Sequence, residues 1–153
     1  MRFKSSLITI PFLAMAITGC DTWSHIRRTD QTLTAPPKIG CIEATLKKID
    51  SIVFEDYDLS KSYSLGGTTF HHNYSYKLKN LPSYVDGAGY DRAYLTITTN
   101  YSENFTYTNG YRKPGTESIS EKERKIIKST MKEVEDYLIK RCSISINSSL
   151  DEG

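Results

Sequence analysis

Residues 70–78 alternate apolar and polar side chains with a period of two, which is the pattern of a half-buried β-strand. Three more segments resemble strands, and the four predicted strands together are 52–59, 70–78, 93–99 and 104–108. Breaks are predicted at Gly66-Gly67, over residues 80–90 and at Asn109-Gly110, because glycine, proline and asparagine favour turns. The strands are short and close together in the chain, so they favour an antiparallel sheet over parallel crossover connections.

Segments with helical periodicity lie on both sides of these strands. The first predicted helix begins at Pro37 or Lys38 and ends near Asp50. The second spans about residues 119–141 and follows overlapping capping-box patterns within residues 118–123. This order predicts an α+β domain in which an antiparallel sheet of about four strands carries an N-terminal helix and a long C-terminal helix on one face.

The predicted domain covers residues 39–147, and the residues around it are predicted to be flexible. Residues 21–38 are polar and end in Pro36-Pro37, so they are interpreted as a tether before the first helix. Residues 148–153 are mostly polar and acidic, so they are interpreted as a flexible tail.

The first twenty residues have the pattern of an export signal. Arg2 and Lys4 are basic, and residues 7–17 form a run of eleven residues without charge. That length is typical of a signal-peptide core, whereas a membrane-spanning helix needs about 20 apolar residues. The segment ends in Ile17-Thr18-Gly19-Cys20, which resembles the lipobox of bacterial lipoproteins: an aliphatic residue, a small or hydroxyl residue, glycine or alanine, and then cysteine.

The resemblance implies a lipoprotein signal peptide at residues 1–19, a diacylglyceryl thioether on Cys20, cleavage before that cysteine and acylation of its new amino group. Several acyl chains hold a protein at a bilayer because each buried CH₂ contributes about 0.8 kcal/mol. Residues 20–38 are then the lipidated cysteine and its polar tether. The next residue, Asp21, implies retention at the periplasmic face of the inner membrane in enterobacterial lipoproteins. The alternative is an ordinary secreted protein that is cleaved after Gly19.

If Cys20 carries lipid, two cysteines remain, Cys41 and Cys142. An exported protein is in an oxidising compartment, so this pair is predicted to form a disulfide. Cys41 lies in the first turn of the first predicted helix and Cys142 at the end of the second, so antiparallel packing would make them neighbours. A loop of about 100 residues makes such a bridge worth about 4–5 kcal/mol in the chain-entropy model. Two unpaired buried thiols are the alternative.

Charge and residue spacing argue against nucleic-acid, metal and cofactor binding. Lys and Arg total 20 and Asp and Glu total 18, and both excess cations lie within residues 1–19, which leaves 18 of each sign in the rest of the chain. A nucleic-acid binder needs a basic surface to displace counterions from phosphates. The cysteine and histidine spacing fits no metal site, and no phosphate- or dinucleotide-binding motif is present, so no cofactor is predicted.

The chain is also predicted not to be an enzyme. It has no G-x-S-x-G motif, and its S-x-x-K match over residues 129–132 lies inside the amphipathic second helix. His71 and His72 are neighbours on a strand, so their imidazoles point to opposite faces and do not easily share a metal. The acidic side chains within residues 55–58 lack the glycine of a calcium loop and are interpreted as solvated charge.

Tyrosine is unusually frequent in the middle of the chain. All eleven tyrosines lie between residues 57 and 137, and ten of them lie in residues 57–111. They are interpreted either as strand-forming residues that fill the sheet or as an exposed aromatic contact face. Both interpretations remain open at the level of sequence.

The predicted packing leaves one face of the sheet without helices. Tyr94, Thr96 and Thr98 lie on that face by strand alternation. Leu95 and Ile97 point the other way, toward the helices. The first three residues are therefore the candidate interaction face.

We expect a small membrane-anchored envelope lipoprotein that binds a protein partner without catalysis, as an assembly factor, a chaperone or an immunity protein does. Its two predicted partners are the lipid bilayer, through acylated Cys20, and a protein of the envelope. The alternative is a module that binds peptidoglycan or another glycan by aromatic stacking. A third hypothesis is a hydrolase that uses an acidic residue together with His71 or His72.

Overall fold

The computed structural model describes most of the chain after residue 23. The described ranges are 24–33, 38–65, 67–81, 92–99, 105–113 and 118–153. They contain two helices and six strands: β1 (Ser24–Leu33), α1 (Ile39–Leu46), β2 (Ile52–Ser64), β3 (Gly67–Leu78), β4 (Arg92–Thr99), β5 (Phe105–Lys113), α2 (Glu121–Cys142) and β6 (Ser149–Glu152). The predicted signal peptide, the lipidation site Cys20 and Asp21 lie outside the described residues.

The six strands form one antiparallel sheet in the order β2-β3-β4-β5-β1-β6. Strands β2 to β5 correspond to the four predicted strands, and each pairs with the next along the chain. The α+β class and the antiparallel arrangement are therefore confirmed. The predicted number of about four strands is too low, because β1 and β6 extend the sheet beyond β5.

Strand β1 lies in the predicted tether of residues 21–38, and β6 lies in the predicted tail of residues 148–153. Both flexible-segment predictions are wrong for the residues in these strands. The sequence signal of β1 is weak because the inward positions after the buried Ile26 are Arg28 and Asp30. A strand whose inward positions carry charge does not show the apolar alternation from which strands are predicted.

Groups from the C-terminal part of the chain satisfy these inward charges. Arg28 Nε donates to Glu135 Oε1 of α2 at 2.9 Å, and Ser148 Oγ donates to the same oxygen at 2.7 Å. Asp30 Oδ2 accepts from the backbone N–H of Asn147 at 2.6 Å. The side chains of Arg28 and Glu135 are 20% and 3% exposed, so a mostly buried ion pair ties β1 to α2.

Strand β5 runs through Asn109-Gly110, so the predicted turn at that position is wrong. The Asn109 side chain is fully buried, where Oδ1 accepts from Tyr76 Oη at 2.5 Å and Nδ2 donates to the carbonyl oxygen of Met131 at 3.4 Å. The next residue, Gly110, lies directly opposite Tyr94 of β4. These tertiary contacts override the local preference of the pair for a turn.

The α2 helix starts at one of the two predicted caps. Ser120 Oγ accepts from the Glu123 N–H, and the Glu123 carboxylate accepts from the Ser120 N–H, which is a complete capping box. Hydrogen bonds from Ser120, with a further one from the Lys113 ammonium, lower the pKa of Glu123 to about 2. The first helix, α1, ends at Leu46 and is a few residues shorter than predicted.

The core lies between the two helices and one face of the sheet. Its largest fully buried side chains are Tyr74, Tyr76, Tyr107, Ile26, Ile42, Leu46, Leu95, Ile97, Ile127, Met131, Leu138 and Val134. All strands from β1 to β5 except β2, and both helices, contribute to this set, so the predicted packing of the two helices on one face accounts for the core.

The predicted disulfide is confirmed. It joins Cys41 in the first turn of α1 to Cys142, the last residue of α2, with 5.7 Å between their Cα atoms. Beyond the end of α1, Ser51 Oγ donates to Glu133 Oε2 in the middle of α2 at 2.6 Å. The chain from Cys41 to Ser51 therefore runs alongside α2 in the opposite direction.

Replacing Arg28 by Met is expected to lower the free energy of unfolding by about 3 kcal/mol, because it leaves a buried carboxylate on Glu135 without its cation. Urea unfolding followed by circular dichroism measures this change. The double variant Arg28→Met/Glu135→Leu is expected to lose less than Arg28→Met alone, since both charges are gone. The control is Arg27→Met, which removes an exposed ion pair with Asp151 and is expected to cost less than about 1 kcal/mol. A double variant less stable than either single variant would contradict the assignment.

Candidate functional site

The sheet has a second face that the described helices leave uncovered. Strand alternation identifies the residues on this face. Leu95, Ile97 and Tyr107 are fully buried in the core, so the residues next to them in β4 and β5 point to the opposite face. We call this surface the open face and define it by Ser60, Ser62, His71, Asn73, Tyr94, Thr96, Thr98, Thr106, Thr108, Gly110 and Arg112.

The three residues of the predicted interaction face all lie on the open face. Tyr94, Thr96 and Thr98 are half-buried along β4. Thr96 lies directly opposite Thr108, and Thr98 lies directly opposite Thr106, across the β4–β5 ladder. The centre of the open face is therefore a block of four threonines, whose β-branched side chains suit a pleated surface.

A chain of side-chain hydrogen bonds crosses three strands of the open face. Thr96 Oγ1 of β4 donates to Asn73 Oδ1 of β3 at 3.0 Å. Asn73 Nδ2 in turn donates to Ser60 Oγ of β2 at 3.1 Å. These bonds hold the amide and hydroxyl groups in fixed orientations on the surface.

A second chain of contacts runs parallel to the first and is centred on His71. Its Nε2 lies 3.0 Å from Ser62 Oγ of β2, and its Nδ1 lies 3.2 Å from Thr98 Oγ1 of β4. Both ring nitrogens therefore contact hydroxyl groups. This arrangement places a hydrogen-bonded imidazole in the middle of the open face.

The aromatic part of the open face is Tyr94. Its ring lies against Gly110 of the neighbouring strand, where a Cβ atom would come within 2.3 Å of Tyr94 Cζ. The guanidinium carbon of Arg112 lies 4.9 Å from the centre of the same ring. An aromatic ring that covers a strand glycine compensates for the missing side chain, which explains how glycine is accommodated inside β5.

Four of the eight described tyrosines fill the core instead of forming a contact face. Tyr74, Tyr76, Tyr107 and Tyr111 are buried under the helices, and burial raises the pKa of the first three. Among the described tyrosines, Tyr94 is the one that lies on the open face. The strand-filling interpretation therefore accounts for the four buried residues, and an aromatic contact on the open face depends on Tyr94.

The two adjacent histidines point to opposite faces of β3, as strand alternation predicts. His72 Nδ1 lies 2.8 Å from Tyr57 Oη on the helix side, and the two rings are stacked. Burial is the main reason that the pKa of His72 is lowered, with a smaller effect from the charge of His71. No group of histidine, cysteine and acidic residues within the described ranges could hold a metal ion.

The other sequence candidates for chemistry lie on the surface of the described structure. Ser129 of the S-x-x-K match is exposed, and Lys132 Nζ lies 2.7 Å from Asp136 Oδ1 one turn further along α2. In the acidic cluster, Glu55 Oε1 lies 2.7 Å from Lys77 Nζ. These contacts provide no convergent site around either pattern.

No protein-family model, curated protein or solved structure matches this chain. None of the helices in the described part of the chain is long and apolar enough to cross a membrane. The chemistry of the open face is therefore the basis for assigning a function.

Two members of the open face, Gly110 and Arg112, are absent from the sequence-based candidates. They were missed because the fourth strand was expected to end near Thr108, before the Asn109-Gly110 turn signal. The alternation of polar residues from Thr106 through Thr108 to Gly110 and Arg112 is the signal that could have found them. Their contact with Tyr94 depends on the β4–β5 register, which the sequence does not encode locally.

Replacing Gly110 by Ala is expected to displace the Tyr94 ring and to lower the free energy of unfolding by about 1 kcal/mol, because the added methyl overpacks this contact. In a Tyr94→Ala background the same substitution is expected to be neutral or stabilising, since alanine restricts the unfolded chain more than glycine does. Urea unfolding of the four variants measures the coupling. Equal costs in both backgrounds would contradict the contact.

Proposed function

We propose that this chain is a small membrane-anchored envelope lipoprotein that binds a protein partner through its open face without catalysis. The observation that carries the proposal is the one-sided covering of the sheet. The helices occupy one face, and the other face presents ordered hydroxyl, amide and imidazole groups beside the Tyr94–Arg112 pair. Assembly factors, chaperones and immunity proteins are the classes of small binder that fit this description.

The short distance between the lipobox cysteine and the sheet favours close attachment to the bilayer. Strand β1 begins at Ser24, so three residues separate it from Cys20, the proposed lipidation site. Four steps along an extended chain span at most about 14 Å. The proposed anchor therefore holds the Ser24 end of the sheet next to the membrane, instead of suspending the domain on the long tether that the sequence suggested.

Two further features support an envelope location. The Cys41–Cys142 disulfide fits a protein that is exported, because disulfides persist in oxidising compartments such as the periplasm. Asp21 directly follows the proposed lipidation site, and in enterobacterial lipoproteins an aspartate there favours the inner membrane. We therefore propose the periplasmic face of the inner membrane as the location.

The open face suits a protein partner because its polar groups are already held in place. The Thr96–Asn73–Ser60 chain and the contacts of His71 fix side chains that would otherwise lose rotamer freedom on binding. Tyrosine and arginine are frequent in the energetically important parts of interfaces, and serine, threonine and asparagine supply hydrogen bonds around them.

A glycan is the second candidate partner. The observation that favours it is the Tyr94 ring supported by Gly110, because an aromatic ring beside uncharged hydroxyl and amide groups offers both stacking and hydrogen bonding to a sugar. Peptidoglycan is the glycan that an envelope protein of this kind would meet. Retention on purified cell wall separates this candidate from a protein partner.

Replacing Cys20 by Ala is expected to move the protein from the membrane fraction to the soluble fraction, because no acyl chain can then be attached. Palmitate labelling followed by fractionation measures this change. The control is Cys41→Ala/Cys142→Ala, which removes the disulfide and is expected to keep both the label and the membrane association. A Cys20→Ala protein that stays with the membrane would contradict the proposed anchor.

A photocrosslinking residue at Thr98 is expected to capture a defined envelope protein in living cells, while the same residue at Asp136 on the outer side of α2 is not. Tyr94→Ala is expected to reduce the Thr98 crosslink at least fivefold. The matched control is Tyr137→Ala, because Arg141 lies 5.7 Å from the Tyr137 ring on α2 and forms an equivalent pair on another surface.

The outcomes of this experiment separate the two candidate partners. Retention on cell wall that Tyr94→Ala abolishes, without a protein crosslink at Thr98, would replace the protein partner by a glycan. Neither a crosslink nor cell-wall retention would reject the open face as a binding surface. A crosslink that survives Tyr94→Ala unchanged would place the partner away from the aromatic end of the face.

A further inference from the structure

We infer that the outer edge of β2 is a docking site for an extended strand of a protein partner, with apolar side chains on one face and basic side chains on the other. This inference rests on the proposed protein-binding function and adds a second surface to it. Strand β2 is terminal in the sheet, so β3 is the one described strand that pairs with it. An edge of 13 residues presents a row of backbone N–H and C=O groups that another chain can pair with.

The hydrogen-bond register identifies which backbone groups face outward. The Lys79 N–H donates to the Ser51 carbonyl at 3.0 Å, which fixes a hydrogen-bonded position at the start of the β2–β3 ladder. Residues that hydrogen-bond to β3 alternate along β2 with residues that do not. The bulge between Phe54 and Asp56 adds one residue to β2 and so shifts this alternation by one position. The residues whose backbone groups face away from β3 are therefore Tyr57, Leu59, Lys61 and Tyr63.

The side chains along this edge specify the chemistry of the incoming strand. Leu59 is 44% exposed and Tyr63 is 79% exposed, and both lie on the helix side of the sheet. Asp56 and Asp58 are exposed on the opposite side, and no described cation lies within ion-pair distance of Asp58. Directly opposed residues on neighbouring strands share a face, so the partner needs apolar residues next to Leu59 and lysine or arginine next to the aspartates.

The edge lies at the end of the sheet that points away from the proposed anchor. Ile52 is at the same end of the sheet as Ser24, and the chain then rises about 3.3 Å per residue, which places Leu59 about 23 Å along β2 from that end. The β2–β3 hairpin also extends beyond β4, whose last pair with β3 joins Thr99 to Phe70. The outward backbone groups of residues 57–63 therefore lie at the end of β2 that is remote from the proposed anchor.

A second copy of this chain does not fit the edge in antiparallel pairing. The face of β2 that carries Asp56 and Asp58 continues with Ser60 and Ser62, so a second copy of β2 offers no lysine or arginine on that face. The charge pattern therefore favours a different protein as the partner.

The test uses the acylated protein in detergent micelles and a fluorescein-labelled nine-residue peptide that alternates lysine and valine. Leu59→Pro removes an outward N–H and leaves the β3 ladder intact, so it is expected to weaken peptide binding at least tenfold in fluorescence anisotropy. The matched control is Leu150→Pro on β6, the opposite edge. Leu150 is 43% exposed. His25 and Gly153 form a hydrogen-bonded pair of the β1–β6 ladder, and by alternation the N–H of Leu150, three residues before Gly153, points away from β1.

Three outcomes would overturn the inference. Leu59→Pro binding the peptide as tightly as the unmodified protein would exclude the β2 edge. A glutamate-valine peptide of the same length binding as well as the lysine-valine peptide would exclude the proposed charge complementarity. A dimer that Leu59→Pro dissociates in light scattering would assign the edge to a second copy of this chain.

Tyr94→Ala separates the edge from the open face, because it is expected to leave peptide affinity unchanged within twofold. Loss of the open-face crosslink with retained peptide binding would therefore reject the proposed face and keep the edge. Hydrogen exchange gives a measurement that depends on no variant. The peptide is expected to slow exchange in residues 57–63 and to leave β6 unchanged, and no protection in residues 57–63 would overturn the inference.

Discussion

Attachment of both helices to one side of the sheet determines which surfaces of this protein can meet a partner. The Cys41–Cys142 disulfide joins the start of α1 to the end of α2, and the Ser51–Glu133 hydrogen bond holds the two segments side by side. Amphipathic helices must bury their apolar stripes, and here both bury them against the same face of the sheet. The core therefore forms on that side, and the open face and the outer edge of β2 remain accessible among the described residues.

Polar groups inside this core position the strands. The Arg28–Glu135 pair docks β1 on α2, and Asn109 bonds both to Tyr76 and to the backbone of α2. Such buried groups add little net stability compared with apolar packing, but an unpaired one is costly, so they favour one arrangement over its competitors. The docking of β1 also brings the sheet within a few residues of the proposed lipid anchor.

The two proposed surfaces would use different chemistry for recognition. The open face offers side chains, namely a block of threonines, a hydrogen-bonded imidazole and a tyrosine supported by glycine. The β2 edge offers backbone groups, with Leu59 on one side of the strand and Asp58 on the other. The proposed anchor at Cys20 would keep the Ser24 end of the sheet close to the membrane, which a long flexible tether would not.

The sequence by itself determined the features that depend on the periodicity of apolar residues or on the number of cysteines. Period-two and period-3.6 patterns predicted β2 to β5, both helices and the α+β class. Strand alternation placed Tyr94, Thr96 and Thr98 on one face, and the two cysteines other than Cys20 predicted the disulfide. Only the tertiary structure decided that residues 24–33 and 149–152 are strands, that Asn109-Gly110 continues a strand and that four tyrosines are core. The physical reason is that a periodic pattern records which side chains are apolar, whereas the partners that stabilise Arg28, Asn109 or Gly110 are distant in sequence and become neighbours only when the chain folds.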